Sequence, residues 1–227
     1  MREQRRIYEE IAESWYGLRH HTRFSSELEE LRRRWKGGRL LNLGCAHGPD
    51  FLPFRGGDFE LIGVDFSKNM LLLAKKYREK FRFKAELVLA DLRFLPFADS
   101  SFDWIISIAS LHNIKGREER RKALREMSRV LRPGGEMFIT VWNRWQRRFW
   151  PFRKEVLVPW RRKGEVFLRY YYLYTPFELR REVRSSGFEI LEISPERSFL
   201  GKIPRPLAKI LPFWKNICVL ARKPPRY

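Results

Sequence analysis

Two carboxylates and one small-residue turn carry most of the chemistry this chain offers. Leu40-Leu41-Asn42-Leu43 runs into Gly44-Cys45-Ala46-His47-Gly48, and Leu61-Ile62-Gly63-Val64 ends on Asp65. An apolar run entering such a turn, with a carboxylate closing the next run, fits the first βαβ unit of a nucleotide-binding sheet. The turn lets a ligand approach backbone, and the acid accepts hydrogen bonds from ribose hydroxyls. Small residues stand at the first, third and fifth positions (Gly44, Ala46, Gly48), whereas a dinucleotide fingerprint also needs one at the sixth, which is Pro49. Any tight strand-to-helix turn favours glycine, so the turn is diagnostic only together with Asp65 and the apolar runs downstream of it. The second carboxylate, Asp91, follows the apolar run 86–90; its alternative reading is a turn or helix-cap aspartate.

The elements that position these groups can be read from hydrophobic periodicity. Residues 7–36 read as helical, with Ile7, Ile11, Trp15 and Leu18 on one stripe and Leu28, Leu31 and Trp35 on another. Strand-length apolar runs recur at 39–43, 60–64, 86–90, 103–108 and 136–142, with amphipathic helices between several of them. That alternation predicts a parallel sheet covered on both faces. Thr175-Pro176-Phe177-Glu178 is a capping box with proline at the first helical position, opening a helix that runs to Gly187. Runs at 188–193 and 216–221 supply two last strands across a loop at 194–215, which makes seven. The expectation is one α/β domain over 1–227: N-terminal helices in 1–38, a doubly wound core in 39–142, an insertion in 143–174, and a C-terminal helix and strands in 175–227.

Composition narrows the partners. The chain has 227 residues, with Lys+Arg 47 against Asp+Glu 27, a net charge of +20. A surface this basic attracts polyanions, nucleic acid being the usual one; a heat-adapted surface adds charge of both signs and does not explain the excess. The segment 144–174 concentrates nine Lys/Arg and ten aromatics against two Glu. Basic groups that hold phosphates beside rings that stack bases are how single-stranded RNA loops are read, though such rings also pack a lobe over a sheet. No apolar run reaches the roughly 18 residues of a membrane span, and the first residues do not read as a signal peptide. Two cysteines, Cys45 and Cys218, are too few for a disulfide framework or a zinc site. A cytoplasmic protein with no metal and no membrane contact is expected.

Across residues 39–142 the order LLNLGCAHG, LIGVD, VLADLRFLPFADSSFDWIIS and VLRPGGEMFITVW resembles class I S-adenosylmethionine (SAM)-dependent methyltransferases. The resemblance implies a Rossmann-like sheet of seven strands with the last antiparallel, and SAM as cofactor. It implies cofactor contacts at Asn42, Gly44, Ala46, Gly48 and Asp65, with Asp91 near the adenine amino group and Leu92 against the ring. Two residues depart from the pattern. Asn42 replaces the usual acid, keeping an acceptor but no charge for the methionine ammonium. Ala46 replaces the middle glycine, which is tolerable if its backbone keeps a negative φ.

Residues outside that core point to a subfamily. Tyr8-Glu9-Glu10-Ile11-Ala12, Arg19, Ile106 to Asn113 with Arg117-Glu118-Glu119-Arg120-Arg121, Val158-Pro159-Trp160, Arg169-Tyr170-Tyr171-Tyr172-Leu173-Tyr174 and Phe177-Glu178-Leu179 resemble the tRNA wobble-uridine carboxymethyl methyltransferases. This implies esterification of the carboxymethyl group on the wobble uridine, the tRNA anticodon loop as partner, and a small zinc-binding activator subunit. The acceptor carboxylate is ionised at pH 7, so no general base is needed, and catalysis reduces to alignment and exclusion of water. A guanidinium suits a planar carboxylate, which makes Arg19 the first catalytic candidate. His112, past the fourth strand, would position the uracil or carboxylate through a ring N–H, or else bond a loop carbonyl. Trp142 walls the pocket or belongs to the core. Arg169 and Tyr170 contact the anticodon or form a structural hinge. Two rival readings stand beside this one. Leu95-Pro96-Phe97-Ala98-Asp99 is also common in small-molecule O- and C-methyltransferases, and Asn42 with Ala46 would suit a non-catalytic RNA-binding protein.

Overall fold

The five apolar runs up to residue 142 become parallel strands of one sheet in the computed structural model, which describes residues 2–196 and 214–225. They are β1 (Gly37–Leu43), β2 (Asp58–Asp65), β3 (Glu86–Leu89), β4 (Phe102–Ile108) and β5 (Leu131–Trp142). The segment Glu155–Arg162 (β6) and Glu165–Tyr172 (β7) pair as a separate antiparallel hairpin. The last two predicted runs form β8 (Glu189–Pro195) and β9 (Asn216–Arg222). The main sheet runs β3-β2-β1-β4-β5-β9-β8, with β9 antiparallel to both its neighbours. Most of the predicted loop 194–215 lies outside the described residues.

Helices α3 (Lys68–Lys80), α4 (Arg117–Val130) and α5 (Pro176–Ser185) each bury one apolar face, that of α3 carrying Met70, Leu71, Ala74 and Tyr77. Thr175 and Glu178 make the reciprocal cap: the Glu178 N–H donates to Thr175 Oγ1 at 3.2 Å, and the Thr175 N–H to Glu178 Oε2 at 3.0 Å. Two apolar layers cover the sheet. On one face Ala123, Leu124 and Met127 of α4 meet Leu179 and Val183 of α5; on the other Leu28, Leu31 and Trp35 meet Phe51 and Phe54.

The stretch 7–36 that reads as helical forms two helices, α1 (Arg2–Leu18) and α2 (Ser25–Trp35). At about 100° per residue the two apolar stripes lie roughly a third of a turn apart, so one straight helix cannot bury both. The break at 19–24 lets α2 pack on the sheet while α1 crosses to α3, where Tyr8, Ile11 and Ala12 meet Met70 and Leu73. The hairpin docks on the same helix. Gln4 takes the Tyr170 N–H and donates to its carbonyl at 3.2 and 3.0 Å, and Trp160 Nε1 donates to Ser14 Oγ at 2.8 Å. Its tyrosines are therefore packing residues: Tyr170, Tyr171, Tyr172 and Tyr174 are all buried.

Candidate active site

The carboxyl ends of β1, β2 and β4 open into one cavity of about 740 Å³, where the strand order reverses. The turn after β1 shapes its floor. Gly44 has φ 74°, and a Cβ there would lie 2.1 Å from Ser110 Oγ, so any side chain is excluded. Ala46 is also left-handed, with φ 47°, against the expected negative φ. The turn needs that curl so that the Ala46 N–H can donate to Asp65 Oδ2 at 2.9 Å. The methyl group there costs roughly 1–2 kcal/mol of strain.

Asp65 ties two turns together, since its other oxygen accepts the Ser67 N–H at 2.9 Å. Two N–H groups occupy about half of the carboxylate's lone-pair sites, which leaves the rest for hydroxyls in the cavity. Burial pushes Asp65 up to about 6, against the pull of those N–H groups and with help from Glu9. Glu9 itself reaches from α1 to cap α3, accepting from the Lys68 and Asn69 N–H groups at 2.8 Å each. Asp91 and Leu92 line the same cavity. Burial alone would raise Asp91, but the Arg93 guanidinium, bonded at 2.7 and 3.0 Å, holds it below the ordinary carboxylate range.

Two predicted cofactor residues lie off the cavity wall. Asn42 shares the face of β1 that Leu40 occupies, fully buried beneath the turn, and neither amide atom has a hydrogen-bond partner. Gly48 shapes the turn with φ 92° and donates its N–H to the Cys45 carbonyl at 2.8 Å.

Another part of the wall is built from His112, Trp142, Tyr171 and Arg19. His112 is fully buried and its Nδ1 accepts the Trp142 N–H at 2.9 Å, so its own proton sits on Nε2. Nε2 has no protein partner. Burial pushes the ring down to about 3, which leaves a neutral donor, not the expected alternative of a ring tied to a carbonyl. Trp142 lies parallel to Tyr171 at 4.1 Å and walls the cavity. Arg19 sits 4.1 Å over the Trp15 ring and pairs with no carboxylate among the described residues. Burial and then repulsion from Arg23 lower its pKa.

Arg169 and Tyr170 do not line the cavity. Tyr170 packs into the core, and Arg169 is buried against Trp160, donating to the Tyr171 hydroxyl at 2.7 Å. Neither side chain reaches the cavity: Arg169 supports Tyr171, and Tyr170 belongs to the core. Sequence reasoning missed Tyr8, Trp15, Phe66 and Asn113 as wall residues. Trp15 was visible only as a member of an apolar stripe, and that stripe faces the cavity as well as α3.

One further contact joins the two sides. His47, in the floor turn, bonds the Arg19 carbonyl through Nε2 at 2.5 Å, and the Tyr77 hydroxyl donates to the next carbonyl, that of His20. Burial pushes His47 down to about 4, so at neutral pH it is an uncharged N–H donor. His47→Ala is expected to raise the acceptor KM about tenfold and to lower Tm by about 5 °C, with S-adenosylhomocysteine (SAH) affinity within threefold of wild type. Steady-state kinetics beside calorimetric SAH titration check this; an equal loss in both would mean that His47 merely supports the turn.

Comparison with known proteins identifies the family. Residues 41–139 match the model of a methyltransferase domain. A methyltransferase of Encephalitozoon cuniculi is 31% identical over 169 residues, covering 71% of this chain and 75% of that protein. The chain is a class I SAM-dependent methyltransferase. Mouse tRNA (carboxymethyluridine(34)-5-O)-methyltransferase ALKBH8 is 32% identical over 136 residues, 60% of this chain but only 19% of that larger protein. Demethylmenaquinone methyltransferase of Renibacterium salmoninarum is also 32% identical over 132 residues, 53% of this chain and 52% of that protein. Among solved structures, the complex of the Haloferax volcanii Trm112 methyltransferase activator with a methyltransferase has a chain that superposes with a TM-score of 0.71. That chain is 16% identical, and the match covers 98% of both, which shows the shared fold.

SAM is the cofactor of this methyltransferase, and the donor set fits it. Asp65 would accept from the ribose hydroxyls, Asp91 from the adenine amino group, and Leu92 would lie against the ring. Bound there, SAM supplies an electrophilic methyl group. No group of His, Cys, Asp and Glu among the described residues could hold a metal ion, and no described helix is long and apolar enough to cross a membrane.

Proposed function

We propose that this methyltransferase esterifies the carboxymethyl group of the wobble uridine in a tRNA anticodon. The observation that carries the reading is the pairing, in one cavity wall, of a cation without a carboxylate partner (Arg19) and a neutral N–H donor (His112). That pair suits an acceptor that arrives already anionic. Arg19 would hold the carboxylate in its fork, His112 would bond the uracil or the second oxygen, and the rings of Trp15, Trp142 and Tyr171 would keep water out.

A phenolic or carbon acceptor must lose a proton, and His112 is unsuited to take one, with Nδ1 occupied and Nε2 already protonated. The similarity to ALKBH8 and the net charge of +20 also support the RNA reading. The same reading brings cytoplasmic tRNA and a small activator subunit as partners. The Trm112 complex of the superposing structure supports the latter, as does edge strand β3, which leaves Leu89 exposed. Equal solubility and activity of the chain with and without such a subunit would remove that partner.

The test is transfer from methyl-labelled SAM to tRNA bearing 5-carboxymethyluridine, followed by mild alkali. Label released as methanol is expected. Alkali-stable label would move the acceptor to nitrogen, carbon or ribose, and transfer to a quinone precursor instead of tRNA would favour the small-molecule reading. His112→Phe keeps an aromatic ring and removes the donor. It is expected to lower kcat/KM for the tRNA about thirtyfold without weakening SAH binding. The wild-type kcat should show no inflection near 6.5, because His112 stays neutral down to about 3.

A further inference from the structure

Beyond the carboxylate site, two arginines have no assigned task, one lining the cavity and one lying against its wall residue Trp142. Arg23 lines the cavity in the break between α1 and α2, and its side chain is exposed. Arg148 is exposed too, in the one-turn helix Arg147–Phe149 after β5. Its guanidinium lies 4.4 Å from the centre of the Trp142 ring, which also stacks on Tyr171 at 4.1 Å. The Trp142 ring, itself held by Tyr171, thus holds Arg148 in place.

The carboxylates that line the cavity are engaged elsewhere: Asp65 takes the Ala46 and Ser67 N–H groups, Asp91 the Arg93 guanidinium and Asp50 the Thr22 side chain. Arg19, Arg23, Arg148 and Arg169 are close enough to repel one another: after burial, Arg23 and Arg169 lower the pKa of both Arg19 and Arg148. No carboxylate pairs with any of the four among the described residues, and residues 197–213 contain no Asp or Glu at all. Elsewhere on the molecule arginines have acid partners, such as Arg34 with Glu136 at 2.7 Å and Arg132 with Asp103 at 2.5 Å. A guanidinium cluster maintained without an acid is a site whose counter-charge comes with the ligand. One carboxylate at Arg19 leaves the excess at Arg23 and Arg148 unanswered.

We propose that Arg23 and Arg148 form a clamp for a backbone phosphate next to the nucleotide whose base enters the cavity. The inference rests on the RNA reading of the acceptor and adds a specificity: the acceptor is recognised as a nucleotide within a chain, not as a carboxylated nucleoside. Arg148 presents its in-plane N–H groups from the Trp142 face, and Arg23 comes from the segment that also carries Arg19. Base entry and phosphate capture thus use the same short stretch of backbone.

The experiment is equilibrium binding to the SAH-loaded enzyme, read by tryptophan fluorescence, with uridine and uridine 3′,5′-bisphosphate as probes. Wild type is expected to bind the bisphosphate at least tenfold more tightly than uridine. Arg23→Ala and Arg148→Ala should each weaken the bisphosphate about tenfold while SAH affinity, which reports a folded cofactor site, stays within twofold. Lys122→Ala, a basic residue stacked on Phe94 outside the cavity lining, serves as the charge control and should change nothing. Equal affinity for the two probes in wild type, or variants that bind the bisphosphate normally, would overturn the clamp. Ester formation on carboxymethyluridine tRNA is measured in parallel. A clamp without ester would sink the proposed reaction alone, and ester without probe discrimination would sink the clamp alone.

Discussion

Arg19→Ala is expected to lower kcat/KM for tRNA bearing carboxymethyluridine about a thousandfold, with SAH affinity within threefold of wild type. A paired, desolvated guanidinium–carboxylate contact is worth on the order of 4 kcal/mol when one partner is cut away, which sets that factor. The remaining groups of the wall cannot substitute. His112 offers one neutral donor, and Arg169 is committed to the Tyr171 hydroxyl at 2.7 Å. Arg19→Lys keeps the charge but loses the fork, and an intermediate loss of about thirtyfold is expected. Single-turnover rates separate orientation from affinity: a misaligned carboxylate slows methyl transfer even at saturating tRNA. If the alanine variant esterifies tRNA at the wild-type rate, Arg19 does not hold the acceptor. If SAH affinity falls as far as the rate, the arginine supports the floor turn, to which its carbonyl is bonded through His47 at 2.5 Å.

The parts of this site that could be seen in the sequence are those fixed by local pattern. Gly44 and Asp65 stand at the ends of β1 and β2, where a short apolar run meets a turn residue, and the Thr175–Glu178 cap lies within four residues. The wall that faces the acceptor depends on contacts between distant segments. Gln4 bonds the backbone of Tyr170 across 166 residues, and His112 bonds the Trp142 backbone across 30. No periodicity announces such pairs, so a tyrosine string that looks like an exposed stacking surface turns out to be the packed side of β7. The hairpin strands were hidden for a related reason. β6 contains Pro159 and alternates exposed and half-buried residues, which a two-stranded sheet tolerates but an apolar-run search passes over. The break at 19–24 was legible in the phase of the two stripes, and it is that break which puts Arg19 in the cavity wall.

Asp65→Asn is expected to weaken SAH binding about a hundredfold at pH 7.5 and to flatten its dependence on pH. The carboxylate takes the Ala46 and Ser67 N–H groups at 2.9 Å each, and ribose hydroxyls would add two more charge-assisted bonds. An amide can accept through one atom only, so it sets an NH2 against one of the N–H groups. In wild type, burial pushes Asp65 up to about 6 in the cofactor-free protein. SAH should therefore bind with constant affinity above pH 7 and progressively more weakly below 6, approaching tenfold per pH unit, whereas asparagine does not titrate. Stability of the cofactor-free fold obeys the opposite sign. Because its folded pKa lies above the unfolded 3.8, Asp65 contributes stability that is full below 3.8 and lost as pH rises through 6, roughly 3 kcal/mol in all. Buried Asp50, also raised to about 6, does the same. His47 and His112, lowered from 6.5 to about 4 and about 3, contribute stability that is full above 6.5 and lost as pH falls. Between pH 4 and 6 the two pairs offset, so the wild-type Tm should change little there. In Asp65→Asn the imidazoles are opposed by Asp50 alone, and Tm is expected to drop by several degrees between pH 6.5 and 4.5. SAH affinity that still falls below pH 6 in the asparagine variant, in parallel with wild type, would assign that titration to another group.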